Sequence, residues 1–138
     1  MIAALGIATA SIFVWLGMVL AISFLEAPLK FRAPGVDLCT GLAIGRLVFR
    51  ALNIAEAVLA VIAVAAVLTG DVARIPVIVA AAILAAQVLA VRPKLTRRTD
   101  QVLAGSDAPR SHAHFAYIGL EVLKVVALVW SGIALLTA

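Results

Sequence analysis

The chain has 138 residues, 65% of them hydrophobic and only 13% charged, with a mean hydropathy of +1.20. A soluble domain is about 45–50% apolar and about 25% charged, and a disordered chain is poorer still in apolar residues, so both classes are excluded. What remains is an all-α integral membrane protein, and 138 residues hold four spans of about 20 residues with short connections.

The first apolar stretch, residues 2–25, has no charge and only Thr9, Ser11 and Ser23 as polar residues. No Lys or Arg precedes it, which argues for a retained helix over a cleaved signal peptide. The second span, 42–69, carries Arg46, Arg50, Asn53 and Glu56. The third, 75–91, contains Gln87, and the fourth, 114–137, contains His114, Tyr117, Glu121 and Lys124. Breakers mark the boundaries: Pro28 and Pro34-Gly35 after the first span, Gly70 ending the second, Pro76 opening the third and Pro93 closing it. The expectation is a single transmembrane domain over 1–138, a four-helix bundle. Helices satisfy their own backbone in lipid, which open strands do not.

Charge placement sets an expected orientation. Lys30, Arg32, Arg46 and Arg50 lie around the first connection; Arg92, Lys94, Arg97, Arg98 and Arg110 lie in the third. The second connection holds only Arg74. The positive-inside rule puts both basic connections in the cytoplasm and both termini outside, in the plasma (inner) membrane. The net charge of +4 is explained by these loops facing an anionic leaflet, and no basic soluble module exists to bind nucleic acid. Cys39 is the only cysteine, so an intramolecular disulfide is impossible.

An offset of 65 residues aligns Pro28 with Pro93, Arg32 with Arg97, Leu38 with Leu103 and Glu56 with Glu121. Two parallel helical-hairpin repeats would produce this register; chance is the alternative, since few polar positions agree.

At 100° per residue, Arg46, Arg50, Asn53 and Glu56 share an arc of about 120°, and His114, Tyr117, Glu121 and Lys124 one of about 80°. Charges cost about 2.5–3.5 kcal/mol each near a bilayer centre, so these stripes face the protein interior. One reading is a cytoplasm-facing polar cleft, with Glu56, Glu121 and Lys124 as its floor, Arg46 and Arg50 near its mouth, and Gln87 contributed by the third helix. It would bind or translocate a small ligand or ion. The other reading is structural: Glu56 or Glu121 pairs with Lys124, while Arg46 and Arg50 snorkel to the headgroups. A non-catalytic accessory or scaffold subunit of a larger membrane complex is the matching alternative function. No nucleophile set, nucleotide loop or zinc spacing is present, so neither an enzyme nor a metal or cofactor site is expected. His112 and His114, two apart, point to different sides of a helix. Gly41-x-x-x-Gly45 and Ala82, Ala86 and Ala90 suit close helix approach, within the bundle or in a homodimer. Trp15 and Trp130 read as packing residues.

The segments FLEAPLKFRAPGV, GRLVFRALNIAE, VRPKLTRRTDQ and HAHFAYIGLEVLKVVAL, in this order, resemble a family of small polytopic proteins that includes the transmembrane-protein-205-like proteins. The resemblance implies a four-helix membrane protein without an established catalytic activity. It transfers no site residue, and the charged second helix is not a feature it assigns.

Overall fold

The computed structural model describes residues 2–105 and 112–138, and all regular structure among them is helical. Four long helices make the architecture: α1 (Ile2–Lys30), α2 (Leu38–Gly70), α3 (Arg74–Leu103) and α4 (His112–Leu136). Each contains a stretch long and apolar enough to cross a membrane. Helix α1 packs on α2 and α4, and α3 packs on the same two, so every helix has two neighbours.

All four helices run beyond the expected spans at their basic ends, α4 by only two residues. Helix α2 has 33 residues and is therefore about 50 Å long, against a hydrocarbon thickness of about 30 Å. Its start is fixed by Asp37, whose side chain accepts from the Thr40 backbone N–H at 2.7 Å. That hydrogen bond to an amide holds the Asp37 carboxyl below its ordinary pKa of 3.8. The helix ends at Gly70, after which Asp71 takes a left-handed conformation. Arg74 closes this turn by bonding the Leu68 carbonyl at 3.0 Å and approaching Asp71 at 3.2 Å, using carbonyls that the helix end leaves free.

Two expected boundaries need correction. Neither Pro28 nor Pro93 ends its helix. In α1 a π-helical segment, Leu20–Glu26, is followed by a further α-turn, Ala27–Lys30. In α3 the π-segment Gln87–Val91 is followed by an α-helix over Arg92–Leu103. A proline has no N–H for the carbonyl four residues back, and its ring crowds that carbonyl. The preceding turn opens instead: Ala27 donates to Ile22 and Arg92 to Gln87, each five residues back. The chain thereby absorbs the proline and stays helical.

Small residues dominate the interior, which suits close packing in lipid: Ala8, Ala60, Ala63, Ala80 and Ala127 are buried around Ile12, Val67, Val77 and Leu128. The outer faces are apolar, with Leu47, Val61, Leu89 and Val126 all exposed. Such a surface suits a lipid environment. The Gly41–Gly45 pair serves contacts within the chain: a Cβ at Gly41 would collide with the Phe31 ring, and one at Gly45 would lie 2.9 Å from Lys30 Nζ. Trp130 lies on the exposed face.

Candidate functional site

Glu121 and Lys124 stand three residues apart on α4, on the same face, and Lys124 Nζ lies 2.5 Å from Glu121 Oε1. Glu56 reaches in from α2 and places Oε1 2.6 Å from the same ammonium. The third donor position of Lys124 is taken by Gln87 Oε1 at 2.8 Å, from the π-segment of α3. An ammonium has three donors, and all three are used. Gln87 Nε2 in turn donates to Glu121 Oε1 at 3.1 Å and to the Tyr117 carbonyl at 3.4 Å, which fixes the amide orientation.

Helix α1 supplies two further donors. Trp15 Nε1 donates to Glu56 Oε1 at 2.9 Å, and Ser23 Oγ donates to Glu121 Oε2 at 2.6 Å. All four helices thus meet at one ionic cluster. Glu56, Gln87 and Lys124 have no accessible surface and Glu121 only 2%. Glu56 is 14 residues from Gly70 and Glu121 is 15 from Leu136, so both lie roughly 21–23 Å from the C-terminal ends of their helices.

The two carboxylates are not equivalent. Glu121 has donors on both oxygens. On Glu56, both donors converge on Oε1, while Oε2 is buried with no hydrogen-bond partner. With all three groups ionised the cluster carries two negative charges against one positive. In a low-dielectric interior, an uncompensated charge is costly.

Of the other expected site residues, the structure brings none into direct ionic contact with this cluster. Arg46 pairs with Asp100 across α2 and α3, and both side chains are substantially exposed. Arg50 is exposed. Asn53 is partly buried, with Oδ1 unpartnered. His114 is partly buried and stacks edge-on against Phe115 at 5.6 Å. Arg110 and the His112 side chain lie outside the described residues. Tyr117 contributes its carbonyl, and its buried ring packs edge-on against Phe49 at 6.1 Å. The guanidinium of Arg92 covers both rings, at 4.5 Å from Tyr117 and 5.1 Å from Phe49. Lys30 Nζ is 5.7 Å from the same Phe49 ring and 3.8 Å from Glu26. A cation–aromatic layer therefore stands on the basic side of the cluster.

Trp15, Ser23 and Arg92 were not among the expected site residues. Trp15 is more than packing: among the described residues, its N–H is one of two donors to Glu56. Helix α1 is apolar all round, so no amphipathic pattern shows which side faces inward. The one available signal is the spacing of Ala8, Ser11, Ile12, Trp15 and Val19, all buried.

A cavity of about 240 Å³ lies at the opposite end of the molecule, lined by apolar residues including Ile2, Leu5, Val67 and Leu135. It is remote from the ionic cluster. The fold and the site together define a multi-pass helical membrane protein with an occluded, four-helix ionic cluster. No family model, curated protein or solved structure matches the chain.

Proposed function

We propose that the protein binds a small ion at the Glu56–Lys124–Glu121 cluster and moves it across the membrane, reaching the cluster from the basic, cytoplasmic end. The observation that carries this reading is the charge count: two buried carboxylates share one ammonium. A purely structural clasp is satisfied by one of each sign. An odd negative charge, held away from water, is matched by a mobile cation. The cleft that would lead there is shut at its floor, as in an occluded stage of transport, and the cation–aromatic layer of Arg92, Tyr117, Phe49 and Lys30 stands where a gate on the basic side would be.

Reading the chain as two parallel repeats leads to the same conclusion. Displaced by 65 residues, the π-segment Leu20–Glu26 falls on residues 85–91, where Gln87–Val91 is also π-helical. Glu56 and Glu121, the equivalent glutamates, meet at a single lysine. Transporters built from repeats bind at the junction between them.

The test is flux in proteoliposomes holding a pH-sensitive dye, with proton or sodium gradients imposed. Wild-type protein should dissipate one of these gradients, and Glu56→Gln and Glu121→Gln should lose that activity while folding normally. Equal flux in both variants contradicts the proposal. The second reading, an accessory subunit, is favoured by the saturation of Lys124, which locks the helices together. A stoichiometric partner that co-purifies in mild detergent would support it.

A further inference from the structure

We infer that the ion bound at the cluster is a proton, and that its binding atom is Oε2 of Glu56. This rests on reading the cluster as an ion site and adds the identity and place of the ion. The argument is one of donors and acceptors. Lys124 uses three donors at once, on Glu56, Glu121 and Gln87, and so is an ammonium. Glu121 receives Lys124, Gln87 and Ser23 across its two oxygens, which is the environment of a carboxylate. Of the cluster's two carboxylates, only Glu56 keeps a bare, fully buried oxygen. A proton there cancels the surplus charge without displacing any contact already made.

The neighbouring side chain completes the pattern. Asn53 lies three residues before Glu56 on α2, one turn towards the basic end, and its Oδ1 is also buried without a donor. Two acceptors cannot satisfy one another. Once Oε2 is protonated it is a donor, and Asn53 is placed on the same helix face to accept. Asn53, one turn nearer the basic end on the same helix, thus offers an acceptor to a protonated Oε2.

Trp15 of α1 and Lys124 of α4 touch Glu56 directly; Glu121 and Gln87 stand one contact further, through Lys124, and Arg92 covers the ring of Tyr117, whose carbonyl Gln87 also holds. Arg92 is held over aromatic rings, with Nε and Nη2 lacking hydrogen-bond partners, and makes no short ion pair with Glu56 or Glu121 to offset the extra carboxylate. Protonation of Oε2 forms an O–H bond and leaves Lys124 and Glu121 charged. Its loss returns the proton to the side to which the site is open.

The protein carries its own reporter. Trp15 donates to Oε1 of the same carboxyl, and Trp130, the only other tryptophan, is on the exposed face. In Trp130→Phe protein, Trp15 emission reads the charge on Glu56 alone. Infrared difference spectra of full-length protein in nanodiscs, near neutral pH, should show one protonated side-chain carboxyl that Glu56→Gln removes. Alkaline titration should remove the same band and shift Trp15 emission with one midpoint. The absence of such a band in the wild type, or its survival in Glu56→Gln, overturns the assignment. So does a shift of Trp15 emission on replacing choline chloride by sodium chloride at constant pH, since the occupant is then a metal cation. A protonated Glu56 in a protein that shows no flux leaves this assignment standing and removes the transport reading.

Discussion

Lys124 and Glu56 occupy opposite positions in the same ledger of charge. Lys124→Met would leave two buried carboxylates with no cation, and removing one partner from a buried ionic set costs about 3–5 kcal/mol. Glu56→Gln leaves a balanced Glu121–Lys124 pair and an amide that still accepts from Trp15, so it should unfold close to the wild type. Arg46→Ala breaks only an exposed pair with Asp100, worth on the order of 0–1 kcal/mol. Reversible unfolding in mixed micelles ranks the three. Equal costs for Lys124→Met and Arg46→Ala would show that burial is not what makes the inner pair matter. At this scale the sequence was half legible. Glu56, Glu121, Lys124 and Gln87 were readable because a charge or amide inside an apolar span demands a partner. Trp15 and Ser23 were not, because nothing in a uniformly apolar helix marks the residue that faces a carboxylate.

Helix boundaries follow capping more closely than apolar length, and prolines bend the bonding pattern without setting the ends. Asp37 caps α2 through the Thr40 amide, and this bond lowers its pKa below 3.8. The cap therefore contributes above the unfolded value and is lost as pH falls through the lowered folded one. The Thr40 amide resonance should titrate with a midpoint below that ordinary value. In Asp37→Asn, which can still cap, it should not titrate. The π-segments make a second test. Pro93→Ala restores a donor for the Leu89 carbonyl, so Gln87–Val91 should contract to α-helical bonding and carry Gln87 off Lys124. Hydrogen exchange at Arg92, whose amide bonds Gln87, reads the change; unaltered exchange would mean that Gln87's own contacts hold the turn open. Both prolines were legible as breakers, but their absorption into π-turns was not. That outcome depends on what the helix gains beyond the proline: here the contacts of Lys30 with Phe49 and of Arg92 with Tyr117.

For the molecule as a whole, the apolar surface and four long helices were legible from composition alone, because lipid is the only solvent for such a surface. The closing of the cluster was not, since it depends on how α2 and α4 face each other across the core. The expected orientation follows from nine cationic residues around two connections against Arg74 in the other. A reporter active only in the cytoplasm and fused after Ala138 should be silent, while one inserted in the third connection should be active; the reverse would invert the proposed direction of access. The central claim is that the surplus buried carboxylate is retained for ion binding rather than for stability. Its most direct test pairs two readings on Glu56→Gln: unfolding free energy and flux in proteoliposomes. The account predicts stability within about 1 kcal/mol of the wild type, because glutamine is neutral like the protonated carboxyl it replaces, together with loss of flux. A variant that is strongly destabilised yet transports like the wild type would contradict it.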